Sequence, residues 1–408
     1  MKRRKMQLVF AANNAFTFGI DTTNTSVGSS TATQFALPLI SSGSYDMTVD
    51  WGDGSSDDIT VWDAAETTHT YNITDGINLL GDAAISNAGS TTLVVTGDSF
   101  NATGASDSGT SLRPRLLWSG LTVGEKYRVR ATFTVNSGTT NMALYDGTSY
   151  VFQAVPIADF DEVVTCNSTN FFFALDGTNT FDVDADFFIE KVVEEEYTIK
   201  ITGTCQGWQF NNGGDKLKML DISKWGVLDI STNAAFFGCS NLTVSATDAP
   251  IISTNDLSNT FRSAGIGSIN MSAWDFSGVT LFTNFMLSSA SAAPTGLENW
   301  DISSATRLSN MFFGTSINQN LSSWDITSVT LADNFMNNVI TLSTANYDAL
   351  LIGWEATLQG TYPAGAGYTA TISVNFGGST YTAGGAAATA RASLVSTFGW
   401  TITDGGTA

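Results

Sequence analysis

Trp300–Met336 reads WDISSATRLSNMFFGTSINQNLSSWDITSVTLADNFM, and the same pattern occurs in it twice. Trp300-Asp301 returns as Trp324-Asp325, and about eleven residues after each comes an aromatic–methionine pair, Met311-Phe312 and then Phe335-Met336. Upstream, Trp274-Asp275 and Phe285-Met286 keep the beat, so the Trp-Asp spacings are 26 and 24 residues. Phe261, Phe236 and Trp225 extend it further, Trp225 lying 49 residues before Trp274, close to two repeats. A unit of roughly 20–29 residues cannot bury a Trp, an Ile and a Phe by itself. Stacked on its neighbours it can, because the apolar positions align into one continuous column. Asp after each Trp, with Ser or Thr close behind, suits a turn whose carboxylate accepts hydrogen bonds from nearby backbone N–H groups. An exposed aromatic ladder for ligand stacking is the competing reading; a buried spine is the expectation.

The rest of the chain agrees with a β protein. It has 408 residues, of which 43% are hydrophobic and 13% charged, with polarity supplied by Ser, Thr and Asn. Short apolar runs alternate with small polar turns, as in TTLVVTGDSFNATGASDSGT, which is strand-and-turn patterning. A helical period shows only weakly, at Asn346 to Leu358 and Gly385 to Thr397. With 38 acidic residues against 17 basic ones the formal charge is −21, which excludes a protein that tracks nucleic acid with basic patches. One histidine, His69, and three scattered cysteines, Cys166, Cys205 and Cys239, leave no multi-histidine metal site and no disulfide scaffold. No run reaches the ~18 apolar residues of a membrane span. Met1-Lys2-Arg3-Arg4-Lys5 looks like the start of a signal peptide, but MQLVFAANNAFTF is broken by polar residues. An unprocessed basic N-terminal arm is expected.

The stretch from Leu217 to Asn338, with its WD-x-S and Met-Phe stations, resembles the BspA-type leucine-rich-repeat surface proteins. That resemblance implies a β-solenoid and a non-enzymatic binding protein of a cell surface, a secretion or a virion. The tail from about Thr341 is similar to the segment that often follows such arrays. A cap there would hide the last apolar coil. Val49-Asp50-Trp51-Gly52-Asp53-Gly54-Ser55 with Thr68-His69-Thr70-Tyr71 resembles a PKD-like, Ig-type sandwich. Its matching last strand, Tyr197–Gly203, begins 126 residues after Tyr71, which points to an insertion between adjacent strands. The insert, with LLWSGLTVGEKYRVRATFTVNSGTTNMALYDG and FFIEKV, is similar to jelly-roll carbohydrate-binding-like modules. The expected order is all-β: residues 1–75 the first part of the sandwich, 76–193 the insert, 194–207 the last sandwich strand, 208–340 the repeat solenoid and 341–408 the cap.

Candidate sites follow from residue type. Sugar-binding grooves use aromatic rings for stacking, and Trp118, Tyr145, Tyr150 and Phe152 are the glycan-binding candidates, with core packing as the alternative. Asp182, Asp184 and Asp186 in DVDAD share one side of an extended strand; calcium would relieve their repulsion, and solvated edge protection would equally explain them. Asp50, Asp53, Asp57 and Asp58 lack the spacing of a calcium loop and read as a solvated turn. No nucleophile elbow accompanies His69 and no nucleotide-binding loop is present, so no catalytic constellation is expected.

Two homes compete for such a chain. The first is a phage virion surface, as a head-decoration or fibre-type subunit adhering to host surface or glycans. Its N-terminal region would dock on other virion proteins of capsid or tail, and the subunit would be a homo-oligomer with no nucleic acid partner and no cofactor beyond the calcium. The second is a bacterial surface reached by export, as a BspA-like adhesin. A polysaccharide-degrading tail protein is the enzymatic rival.

Overall fold

The computed structural model describes residues 14–74, 76–86, 92–104, 112–176, 180–192, 195–289, 293–336 and 341–408. The basic arm expected at Met1–Lys5 lies outside the described residues. The chain is predominantly β and divides into two compact units. One is Met1–Ser30, Gln34–His69 and Glu196–Ala408; the other is Thr31–Thr33 and Thr70–Glu195. Among the described residues no helix is long and apolar enough to cross a membrane.

The first unit opens with β1 (Phe16–Asp21), β2 (Gln34–Ala36), β3 (Leu39–Asp50), β4 (Ser56–Ile59) and β5 (Thr68–Thr70). The chain then enters the second unit, whose strands among the described residues are β6 (Ala84–Ser86), β7 (Thr92–Thr96), β8 (Ser99–Gly104), β9 (Leu112–Trp118), β10 (Lys126–Gly138), β11 (Asn141–Tyr145), β12 (Tyr150–Pro156), β13 (Phe160–Thr165), β14 (Phe171–Asp176) and β15 (Phe181–Lys191). They form two five-stranded sheets, ordered β13-β10-β15-β8-β7 and β12-β11-β14-β9-β6. Period-two alternation dictates the faces. Along β15, Phe181, Val183, Ala185, Phe187 and Ile189 are buried, while the residues between them face outward or are only partly covered, Glu190 excepted. Their inward partners include Phe100, Trp118, Tyr127, Val129 and Phe173, all in one apolar core.

The first unit resumes with β16 (Glu196–Trp208), β17 (Met219–Lys224), β18 (Leu228–Ile230), β19 (Thr243–Val244) and β20 (Ile251–Ile252). β1 lies between β16 and β17, antiparallel to both, and β16 also pairs antiparallel with β3. Further along, the pairing becomes parallel: β16 with β18, β18 with β20, β17 with β19. Gly203 in β16 sits at φ 92°, where a Cβ would lie 2.2 Å from the Asp46 carbonyl oxygen, so no other residue fits there.

The parallel pairing leads into a stack of coils. Single bridges climb from Asp256 to Leu281, Arg307 and Leu331. Backbone bonds join each coil to the next, as from Phe261 N to Phe285 O at 2.8 Å and from Phe312 N to Phe335 O at 3.0 Å. Inside, Phe236 stacks on Phe261 at 5.6 Å and Trp300 on Trp324 at 5.9 Å, while Phe276 meets Trp300 at 4.2 Å. Trp300 touches the rings on either side of it, Phe285 at 6.1 Å and Phe312 at 6.4 Å. Each Asp after Trp closes its turn: Asp275 accepts from the Ser277 amide and hydroxyl, and Asp301 and Asp325 do the same with Ser303 and Thr327. Asn259, Asn284 and Asn310 hold left-handed backbone, which Asn tolerates better than most residues. Their side chains form a ladder, Asn310 Nδ2 donating to Asn284 and Asn284 Nδ2 to Asn259 at 3.0 and 3.1 Å.

Past the stack come α1 (Thr344–Thr361) and α2 (Ala386–Ser396). Ser343 caps α1 by accepting from the Asn346 amide at 3.3 Å. Trp354 on α1 lies 6.0 Å from Phe335 and donates its indole N–H to Leu321 O, covering the final coil's aromatic surface.

Candidate functional site

The outer face of the β13-β10-β15-β8-β7 sheet carries the site. Because β15 sends 181, 183, 185, 187 and 189 inward, Asp182, Asp184, Asp186 and Phe188 point outward in a row. Register brings Thr134 opposite Asp184, Thr132 opposite Asp186, Arg130 opposite Phe188 and Arg128 opposite Glu190. On the other side of β15, Asn101 stands opposite Asp184 and Ser99 opposite Asp186. Two depressions of about 440 Å³ each lie on this face. Arg128, Arg130, Phe160, Asp161 and Phe188 line one; Val94, Ser99, Asn101, Thr134 and Asp184 line the other. Thr132 and Asp186 line both, so the two adjoin as one trough.

Its carboxylates are held by neutral donors. Asn101 Nδ2 donates to Asp182 at 3.1 Å and to Asp184 at 2.9 Å, Asn136 Nδ2 to Asp184 at 2.7 Å, and Ser99 Oγ to Asp186 at 2.7 Å. The amides of Asn136 and Asn101 hold the Asp184 carboxyl below the usual carboxylate range. At the other end Arg128 makes a two-pronged pair with Asp161, at 2.8 and 2.6 Å, which raises its guanidinium above its ordinary value. Arg130 lies over the Phe188 ring, 4.0 Å from its centroid, and 3.7 Å from Glu190. A surface of hydroxyls, carboxamides, carboxylates and one cation-covered ring offers both donors and acceptors to a polyol.

The residues singled out from sequence fall in different places. Trp118 is a core residue: it is 1% exposed, its ring is stacked 5.9 Å from Phe187, and its indole donates to Leu79 O. A buried ring cannot stack on a sugar, so Trp118 is withdrawn as a contact. Phe152 packs on the same core beside Phe160, at 5.2 Å. Tyr145 and Tyr150 lie together at 5.0 Å on the other sheet, with Phe172 stacked on Tyr145. Tyr150 is the exposed one of the three. The calcium reading of Asp182, Asp184 and Asp186 gains no support from this arrangement. Alternate residues on a strand stand about 6–7 Å apart, and neutral donors sit against all three, Asn101 between Asp182 and Asp184 and Ser99 on Asp186. Among the described residues no three His, Cys, Asp or Glu side chains are grouped to hold a metal ion.

Asp50, Asp53, Asp57 and Asp58 are each engaged locally, Asp57 by the Trp51 indole and Asp58 by the Thr48 hydroxyl. His69 stacks on Trp51 at 4.8 Å, and its Nε2 meets both Asp53 and Ser55, at 2.7 and 3.4 Å. Both contacts fall on one ring nitrogen, so this is not a serine–histidine–aspartate relay, which needs one on each. All three cysteines are free and buried; burial pushes the Cys205 thiol up to about 12.

Asn101, Asn136, Arg128, Arg130 and Phe188 were not candidates from sequence. The alternation in KYRVRATFTVN assigns the arginines an outward face, but nothing local shows that this face meets DVDAD.

A family described as a Mycoplasma protein of unknown function, DUF285, matches residues 255–348, within the coil stack and the start of α1. No curated protein and no solved structure matches the chain.

Proposed function

We propose that this chain is a non-enzymatic surface-adhesion protein that binds an extended glycan in the trough on β10, β15 and β8. We read it as a phage virion subunit of head-decoration or fibre type. The observation that carries the reading is the trough itself, in which neutral donors, carboxylates and the Arg130–Phe188 pair line one continuous strip. That mixture supports binding by many moderate hydrogen bonds along a chain.

In this reading the first unit is a PKD-like sandwich that runs on into a BspA-type β-solenoid with a C-terminal cap. The second unit is the inserted jelly-roll-like module. Antiparallel pairing around β16 supports the sandwich, and parallel bridges at 24–26-residue intervals support the solenoid. Other virion proteins would be held through the N-terminal region, and the subunit would act as a homo-oligomer. The second home is a bacterial surface reached by export, as a BspA-like adhesin; the matched family is described as a Mycoplasma protein of unknown function.

A glycan array probed with the full chain, followed by mass spectrometry of bound oligosaccharides, tests the function. Binding with no shortened products supports it; shortened products would make the chain a depolymerase instead. Proteomics of purified particles against cell envelopes decides between the two homes.

A further inference from the structure

The trough has a charge preference as well as a shape. Both of its arginines already face a carboxylate, Arg128 with Asp161 and Arg130 with Glu190. Asp182, Asp184 and Asp186 are met only by Asn and Ser donors, and Asp159 accepts from the Phe133 amide. Three carboxylates that line the trough, Asp159, Asp184 and Asp186, with Asp182 just beyond its end, therefore have no cation against them among the described residues. Asp184 and Asp186 are exposed, and a surface with an excess of one sign of charge concentrates ligands of the other.

Length adds to this. From Asp184 to Phe188 the outward row that lines the trough spans four residue steps, about 13 Å of strand, so the strip is long enough for two or three sugar units in line. Its acidic part and its Arg130–Phe188 part follow one another along that line, which leaves a guanidinium-covered ring at one end and acceptors for N–H and O–H groups along the rest.

Resting on the glycan reading above, we propose that the ligand is a linear oligosaccharide carrying unsubstituted amino groups, and that the trough rejects polyanionic glycans. The ammonium groups of such a chain would meet Asp184 and Asp186 as charge-assisted hydrogen bonds, whereas a uronate would face uncompensated carboxylates.

The test is a calorimetric titration of the full chain with three probes, below the amine pKa: a linear glucosamine oligomer, the same oligomer fully N-acetylated, and an oligogalacturonate. The glucosamine oligomer is expected to bind roughly tenfold tighter than its acetylated form, to weaken as salt is raised, and the galacturonate not to bind. Asp184→Asn with Asp186→Asn should remove the difference between the first two probes. Asp184→Lys, at an exposed position where folding is not at stake, should reverse the order toward galacturonate. Equal binding of the amine and acetylated oligomers, or tight binding of galacturonate, overturns the charge preference while leaving the glycan reading intact. Failure of every saccharide overturns both.

Discussion

The coil stack and the two-sheet unit bury aromatic rings in opposite ways. In the stack the apolar residues point into each coil, and neighbours meet above and below, so Trp300 touches Phe276, Phe285, Phe312 and Trp324. In the second unit one face of each sheet is turned inward, and Phe187 meets Phe100, Trp118, Phe160 and Phe173 between the sheets. A stack gains stability from each neighbour interface. A sandwich leaves whole outer faces that the core does not use, and on one of these the trough is found. In the proposed reading the first arrangement is the scaffold and the second carries the binding surface.

Substitutions can set the two regions apart. Trp300→Ala and Phe187→Ala should each cost about 3–5 kcal/mol by leaving a cavity in a packed core. Urea denaturation should show the loss in both variants. Saccharide binding should survive Trp300→Ala and disappear with Phe187→Ala, since only the latter lies beneath the trough. Loss of binding in both would show that the regions are not separable.

Within the stack, Asn284→Ala removes both rungs of the amide ladder and puts Ala at φ 58°. About 1–2 kcal/mol of stability should go with it, measured as a lower urea midpoint. A finer contrast uses indoles. The Trp324 N–H donates to Leu297 O at 2.8 Å, whereas the buried Trp300 N–H has no hydrogen-bond partner among the described residues. Trp324→Phe should therefore cost about 1 kcal/mol more than Trp300→Phe. Equal costs would mean that the Trp324 bond contributes nothing net.

Acid should loosen the stack's turns by a smaller amount. The Ser277 hydroxyl and amide hold Asp275 below the usual carboxylate range, and those of Ser303 do the same for Asp301. A lowered folded-state value stabilises the fold above the unfolded value of about 3.9. That contribution is lost as pH falls through the lower folded-state value. The urea midpoint should drop on acidification, and Asp275→Asn with Asp301→Asn should flatten the drop.

Much of this was legible residue by residue. The Trp-Asp beat marked positions that prove buried and touching, because a repeat repeats its packing. The helical period weakly present at Asn346 to Leu358 and Gly385 to Thr397 corresponds to α1 and α2. Alternation in DVDAD placed the three aspartates on one side of a strand. What local patterning could not supply was pairing at a distance. Asn101 reaches Asp182 and Asp184 across more than eighty residues of chain, and Arg130 reaches Phe188 across nearly sixty. Trp118 misled for a related reason: in LRPRLLW, aromatic character marks a ring worth burying as readily as one offered to a sugar.

Carboxyl footprinting of the full chain by carbodiimide labelling and mass spectrometry, with and without a bound oligosaccharide, bears most directly on where recognition occurs. Asp184 and Asp186 should lose labelling on binding, while Asp275 and Asp301 in the stack keep theirs. Protection of the stack's aspartates with Asp184 and Asp186 unchanged would place the binding surface on the coils and contradict the trough.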